Sequence, residues 1–379
     1  MKKLLMMSLI TLLSVVLAYG LAVAITGQCS NCHTMHNSQN GVAVASGGPY
    51  EQLLNADCIA CHTGPVVTAR RNSFDAPIVL GTVDPGGQGA GLTLAGGDFW
   101  WVATGTAGRD DRMGHNVAGI APADTTITNP NGLTPPGWDP TATPGILSDG
   151  QINSAGSTWS TQLRCAGLYG CHGNHTDATQ MGGIRGAHHG NTGLTSTQAD
   201  TPTTIGGSYR FLGGINGLER SDWNWAETAA NHNEYYGVSS PNNRDQSSTT
   251  YANKRTISYA CAQCHGFFHS RIDNSTTGAS PWLRHPTDVV LPASGEYNSY
   301  NPDGSNLYSV EAPVARPTVP ATSSSTVTPG TDIVMCLSCH RAHGSPQPDI
   351  LRWDYTTMQA GTGTSDTGCF TCHTSKNAD

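Results

Sequence analysis

The chain has 379 residues, with 45 glycines, 22 prolines, 12% charged residues, 7% aromatics and a formal net charge of −8. A chain this rich in Gly and Pro and this poor in long apolar runs cannot bury a large side-chain core of its own; it folds around a large cofactor or stays partly disordered. The acidic balance excludes a nucleic-acid binder, which needs a basic face.

The first residues read as a secretion signal. Lys2 and Lys3 open it, Leu4 to Ala18 is an apolar run, and Ala22-Val23-Ala24 has the small-x-small pattern of a cleavage site. Residues 1–24 are expected to be removed, leaving an exported domain over 25–379. The competing reading is a retained anchor, but the cysteine cluster that starts at Cys29 would crowd a membrane exit. No later segment is apolar enough to span a bilayer.

Twelve cysteines then follow in pairs. Cys29/Cys32 and Cys58/Cys61 come first, Cys165/Cys171 and Cys261/Cys264 stand apart after long intervals, and Cys336/Cys339 and Cys369/Cys372 close the chain. The second cysteine of every pair is followed at once by histidine: His33, His62, His172, His265, His340 and His373. Five pairs are C-x-x-C-H, the attachment signature of haem c. The spacing follows from the chemistry. Two thiols add to the two vinyl groups on one porphyrin edge, and the next residue brings its imidazole to the iron. An even cysteine count in an exported chain otherwise suggests disulfides. Redox dithiols do not require the histidine, and zinc sites do not recur five times in this form. The third pair is C-x5-C-H, with Leu168 where the first cysteine would ordinarily stand. It is expected to hold a haem on His172, with two thioethers around a looped-out insert or one from Cys171; no haem at all is the third alternative.

Nine histidines remain: His36, His115, His175, His188, His189, His232, His269, His285 and His343. His36, His175 and His343 lie three residues after a haem histidine, and His269 four after. Ligands on opposite faces of one haem have Cα atoms roughly 12 Å apart. Three residues of extended chain reach at most about 10 Å. These histidines must therefore serve a different haem from the one beside them, with His269 treated alike. His115 and His285 are taken as the last two distal ligands, since Pro286 favours an extended strut at His285. His188 and His189 are rivals and His232 is weaker. Met35, Met113, Met181, Met335 and Met358 could also ligate, but histidines are in surplus and packing is the expected role. Beyond the signal only Lys254 and Lys376 are lysines. Arginine forks suit haem propionates, although surface arginine is the plainer reading for any single one.

Neither helical nor alternating periodicity is sustained. The expected fold is mostly coil with few short helices at the attachment sites, little sheet, no domain boundary, and a continuous haem stack as the core. Pro317 to Gly330 reads as a linker or an extended surface loop. Trp100, Trp101, Trp159, Trp223, Trp225, Trp282 and Trp353 are expected to pack on porphyrins.

The words around the motifs carry a resemblance. Cys29-Ser30-Asn31-Cys32-His33-Thr34-Met35-His36-Asn37-Ser38, Gly96-Gly97-Asp98-Phe99, Gly114-His115-Asn116, Tyr209 to Gly214, Leu283-Arg284-His285-Pro286 and Cys336 to His343 occur in order over nearly the whole mature chain. In these the sequence resembles the hexahaem c-type cytochromes of the outer-membrane cytochrome S type, the extracellular cytochrome nanowire family. The resemblance implies six covalently attached haems with two histidines each, electron transfer rather than catalysis, and secretion to the cell surface. It also implies self-association into conductive filaments that meet other multihaem cytochromes or extracellular electron acceptors. His36 matches the family histidine that leaves its own subunit to ligate the fifth haem of the next, here the haem of Cys336, Cys339 and His340. The chain departs from the family at the third motif, in a shorter C-terminal interval, and in the Gly182 to Gly193 stretch. A monomeric periplasmic or surface carrier is the first alternative. A multihaem reductase is the second; it needs an open iron, and no C-x-x-C-K is present.

Overall fold

The computed structural model describes residues 28–44, 48–65, 72–73, 76–89, 91–103, 110–124, 133–138, 159–185, 205–219, 228–239, 255–266, 268, 285–361 and 367–377. The proposed signal, residues 1–24, lies outside them, as do His188, His189, His269, Trp223, Trp225 and Trp282. Among the described residues no helix is long and apolar enough to cross a membrane.

Coil dominates, as the composition dictates. Among the described residues the helices are one or two turns long, and each of the five regular attachment motifs starts in or on one. Cys29–Asn31, Cys336–Ser338 and Gly368–Thr371 are 3-10 turns. Cys58–Cys61 forms α1. Gln180–Gly183 forms α2, opened by the Thr179 hydroxyl, which accepts from the Gly182 amide. Ile257–Ala262 forms α3, capped by the Thr256 hydroxyl, which accepts from the Tyr259 amide at 3.0 Å. Such side-chain caps satisfy amides that a short helix leaves without partners.

The strands are two or three residues long. They are β1 (Ser38–Gln39), β2 (Val42–Ala43), β3 (Thr63–Gly64), β4 (Leu80–Gly81), β5 (Arg164–Ala166), β6 (Gly170–His172), β7 (Gly217–Leu218), β8 (Glu234–Tyr236), β9 (Val289–Val290), β10 (Ala315–Arg316) and β11 (Ile333–Val334). β1 and β2 make an N-terminal hairpin, while β3/β4 and β5/β6 pair parallel. The other five form one sheet in the order β7-β8-β10-β11-β9, antiparallel except between β8 and β10.

That sheet carries an apolar core built without the cofactor. Successive side chains of a strand face opposite sides. Tyr235, Ala315 and Ile333 therefore meet Tyr209, Ile215, Ile257, Tyr259 and Met335 on one face. Val314 and Val334 meet Leu291, Tyr300, Tyr308 and Val327 on the other. The second face also buries charge. Arg316 bridges Glu234, with Nε to Oε2 at 3.0 Å, and Asp332. The Ser324 amide donates to Glu234 at 2.6 Å and the Thr328 amide to Asp332 at 2.7 Å.

Two expectations change here. Pro317 to Gly330 is a surface loop rather than a linker, with most of its residues exposed, and it is anchored: Val319 and Val327 are buried, and the Ser324 and Thr328 amides complete the ion network. Arg341 and Arg352 are also fully buried rather than exposed. Their guanidinium groups donate to backbone carbonyls: Arg341 to Ala95 at 2.8 Å, Arg352 to Leu337 at 2.6 Å and to Val310 at 3.0 Å.

Candidate haem-binding site

The five regular motifs share one backbone device. The amide of the haem histidine donates to the carbonyl of the first cysteine in all of them: His33 to Cys29 at 2.8 Å, His62 to Cys58 at 2.9 Å, His265 to Cys261 at 3.0 Å, His340 to Cys336 at 3.1 Å and His373 to Cys369 at 2.9 Å. This single turn puts both thiols on one side and the imidazole just beyond them. No disulfide joins the described cysteines. Burial raises the thiol of Cys61 to about 11 and those of Cys339 and Cys372 to about 12.

Successive motifs adjoin in chain order. The thiols of Cys32 and Cys61 lie within hydrogen-bonding reach across the first and second motifs, as do Cys58 and Cys165 across the second and third, and Cys261 and Cys336 across the fourth and fifth. Cys171 stands beside Cys264, and Cys339 beside Cys369, close enough to feel one another's charge.

The imidazoles are aimed by their Nδ1 atoms. Nδ1 faces a backbone carbonyl in seven of them: His33 to Gln52 at 3.1 Å, His62 to Pro77 at 2.8 Å, His115 to Ala342 at 2.8 Å, His172 to Arg210 at 2.8 Å, His265 to Pro136 at 2.6 Å, His285 to Pro286 at 2.9 Å and His340 to Asp349 at 2.9 Å. Donation from Nδ1 fixes the tautomer that leaves the Nε2 lone pair for a metal and makes that lone pair more basic. In His373 the acceptor is the Glu296 carboxylate at 3.0 Å. Burial lowers the basicity of His62, His115, His172, His285 and His340. It lowers His265 to about 4 and His343 to about 3, with neighbouring histidines adding to the effect.

Three of the acceptor carbonyls are presented in one way. Gln52, Arg210 and Asp349 each begin a pair of left-handed residues, with φ 56° and 56° at Gln52-Leu53, 50° and 58° at Arg210-Phe211, and 59° and 57° at Asp349-Ile350. A non-glycine residue in that region costs energy, most of all the β-branched Ile350. The kink turns the carbonyl towards the ring. Each pair is followed by a leucine, Leu54, Leu212 or Leu351. The words Glu51-Gln52-Leu53-Leu54, Tyr209-Arg210-Phe211-Leu212 and Pro348-Asp349-Ile350-Leu351 are the trace in sequence that the motif reading missed.

Imidazoles from distant parts of the chain then face each other in pairs. Ring centres lie 6.2 Å apart for His115 and His265, 6.4 Å for His172 and His343, and 6.1 Å for His285 and His373. Two metal–nitrogen bonds of about 2 Å, plus about 1.1 Å from each nitrogen to its ring centre, sum to about 6 Å. The pairs thus stand at the spacing of two axial ligands across one iron. No group of three or more His, Cys, Asp or Glu able to hold a metal occurs among the described residues. A porphyrin supplies the remaining ligand plane, and the residues present fit it.

His343 is carried away from His340 by its backbone. The His343 amide donates to Gly96 at 2.7 Å, the His115 amide to the His343 carbonyl at 3.1 Å and the Ser345 amide to Met113 at 2.9 Å. The approach is close. A side chain at Gly97 (φ +84°) would overlap the Gly344 carbonyl, one at Gly344 would meet the Asp98 carbonyl at 2.5 Å, and one at Gly114 would meet Val102 at 2.7 Å. Phe99 stacks on the His343 ring at 4.8 Å.

The other candidates sit differently. His175 is buried, with Nδ1 on Gln263 at 2.8 Å and Nε2 3.2 Å from the Cys171 carbonyl. His36 is exposed, at φ 58°, on the turn that leads into β1. His232 has Nδ1 on the Thr228 carbonyl and Nε2 on Glu234, and lies flat on Tyr308 at 3.5 Å. Its Nε2 meets the carboxylate that Arg316 also bridges, which places it in the ion network of the sheet. Met181 and Met335 are buried in packing, whereas Met35 is exposed. Trp101, Trp159 and Trp353 are buried. Trp138, which the sequence reading passed over, joins Trp159 edge-to-face at 5.5 Å beside Cys264.

Residues 329–378 match the family model described as a doubled CXXCH motif. With the attachment turns and the paired imidazoles, this defines a multihaem c-type cytochrome that binds haem c covalently. Within that class the chain is similar to OmcS. It is 29% identical to the C-type cytochrome OmcS of Geobacter sulfurreducens over 396 residues, covering 89% of this chain and 82% of that one. Two solved structures, the outer membrane cytochrome S filament and the OmcS nanowires of the same organism, are each 21% identical with a TM-score of 0.43. They cover 93% and 94% of this chain and 92% of each of theirs.

Proposed function

We propose that the protein carries electrons outside the cell through six bis-histidine haems, as one subunit of a filament. The observation that carries this reading is the set of three imidazole pairs at 6.1–6.4 Å, each joining a motif histidine to a histidine far away in sequence. In it His172 and His343 hold the third haem, His265 and His115 the fourth, and His373 and His285 the sixth. His36, His175 and His269 supply the remaining distal ligands to the haems of His33, His62 and His340. Haem c supplies one-electron exchange between Fe(III) and Fe(II). The chain's residues hold the iron in that role: two neutral imidazoles fill both axial positions and leave no site for a substrate, and the adjoining thiols of successive motifs set the haem edges side by side.

The N-terminal hairpin supports assembly with a second copy. His36 stands on it beside Met35, 70% exposed, and Val42, 68% exposed, with Val44 and Leu53 also open to solvent. Among the described residues no second imidazole faces His340 at the axial spacing. The two OmcS structures are of a filament and of nanowires. A histidine arriving from a neighbouring copy completes the fifth haem and ties subunits end to end.

Electron micrographs of secreted material, with haem stoichiometry and low-temperature spin-state spectra, test this reading. Filaments, six haems per chain and an entirely low-spin signal are expected. A high-spin fraction in the assembled material would point to an open iron and a reductase. Monodisperse particles would leave a monomeric carrier.

A further inference from the structure

We propose that the irregular third motif is a complete two-thioether attachment site, in which the five residues between Cys165 and Cys171 fold into a closed loop that returns the first cysteine to the side of the second. The proposal rests on the reading that this motif holds a haem.

In a regular motif the two cysteines lie three apart on one turn, and residues so spaced are neighbours on one face. Six residues apart, the same helical turn would point them to different faces. The chain abandons the turn here. β5 and β6 pair in parallel, with Arg164 opposite Gly170 and Ala166 opposite His172. Cys165 and Cys171 occupy the position between these pairs. They therefore lie opposite each other with side chains on the same face, about 4.8 Å apart across the ladder. A single helical turn holds residues three apart at a similar separation, about 5–6 Å.

The insert is fastened on itself. The Gly170 amide donates to Gly167 at 2.9 Å, the Gly167 amide to His172 at 3.0 Å and the Arg164 amide to Tyr169 at 2.8 Å. In the regular motifs the haem histidine donates its amide to the first cysteine; here its carbonyl accepts from the loop. Both glycines are required. Gly167 has φ +80° and a side chain there would meet the Thr179 carbonyl at 2.6 Å, while one at Gly170 would overlap the Ala166 backbone. Leu168, which stands where the first cysteine would ordinarily be, is held by its amide to Asp177 at 2.8 Å. Tyr169 packs edge-on against Trp159 at 5.2 Å. The rest of the site is ordinary: His172 has its Nδ1 on the Arg210 carbonyl and faces His343.

The chemistry balances at both cysteines. Each S–H adds across one vinyl group: a C–S bond forms, the vinyl π bond is lost, and the hydrogen ends on the terminal carbon as part of a methyl group. No oxidant or reductant is consumed.

Because addition conserves mass, haem peptides with one or two thioethers weigh the same, and alkylation separates them. The purified holoprotein is denatured, treated with a phosphine reductant and iodoacetamide, digested and sequenced by mass spectrometry. The peptide with Cys165 and Cys171 is expected to carry haem and no carbamidomethyl group, like the five regular motifs in the same digest. A haem peptide alkylated once at Cys165 would overturn the proposal and leave the haem reading intact. A haem-free peptide alkylated at both positions would overturn both. In Cys165→Ser the haem is expected to remain on Cys171 while the pyridine haemochrome band of that peptide moves to the red, as one vinyl group is regained. An unmoved band would count against the first thioether.

Discussion

The N-terminal arm and the C-terminal sheet hold haem histidines by the same Nδ1 device, yet they differ in what keeps them folded. In the arm, residues 28–54, the apolar side chains Met35, Val42, Val44 and Leu53 face solvent, and its hairpin is two residues on each side. Two-stranded hairpins of this size are marginal alone in water. Around the sheet, aliphatic and aromatic side chains close over both faces and a buried ion network locks the β10–β11 connection. One end of the molecule has its own core, and the other leaves its apolar side chains open to solvent.

The sharpest way to break this comparison is His36→Ala. Filaments should be lost altogether while six haems stay attached and the melting transition of the monomer moves by less than about 0.5 kcal/mol, as at an exposed position. Electron microscopy and a thermal melt followed at the Soret band read the two effects, and intact filaments would refute the shared ligand. At the other end, Arg316→Ala leaves Glu234 and Asp332 buried without their cation. It should cost about 3–5 kcal/mol in chemical denaturation while haem attachment is retained. A loss like that of an exposed position would mean the sheet, too, is held by its haems.

Acid probes the same contrast more gently. Burial pushes the Glu234 carboxyl up, but the His232 hydrogen bond and the Arg316 charge outweigh it and hold the group below its ordinary value of 4.5. A group so lowered contributes stability that is fully present above its unfolded pKa and lost as pH falls through the folded one. The C-terminal transition should therefore weaken below about pH 4.5, and Glu234→Gln should flatten that slope. The smallest effect is electronic. His33 gives its Nδ1 proton to a neutral carbonyl and His373 to a carboxylate. A charged acceptor makes the ligand more basic and favours Fe(III). Glu296→Gln should raise the potential of the sixth haem alone in a spectroelectrochemical titration and bring it towards the arm's behaviour.

What the sequence disclosed follows from distance along the chain. The attachment turns were legible because a porphyrin edge fixes the spacing of two thiols and one imidazole within five residues. The exclusion of His343 from the haem beside it was legible because contour length is a local quantity. Which imidazole faces which was not: His115 and His265 meet across 150 positions through contacts that leave no word in either segment. The carbonyls that receive Nδ1 belong to the backbone, so only the recurrent left-handed pair before Leu54, Leu212 and Leu351 betrays three of them. The sheet escaped notice because its strands are too short for alternation to register. Pro317 to Gly330 reads as linker by composition, since its anchors are two inward valines and hydrogen bonds made largely by its backbone.

The crossing of Gly96-Gly97 and Gly114 with Gly344 also sets an order of events during export. Its two halves are separated by more than two hundred residues, and the imidazole of His343 reaches its place opposite His172 only once the last tenth of the chain has emerged. A truncated or stalled product would hold a third porphyrin with one bare axial face, open to dioxygen in a way the finished molecule is not. With the ligand set proposed above, completion of the carboxyl end is what would close that face.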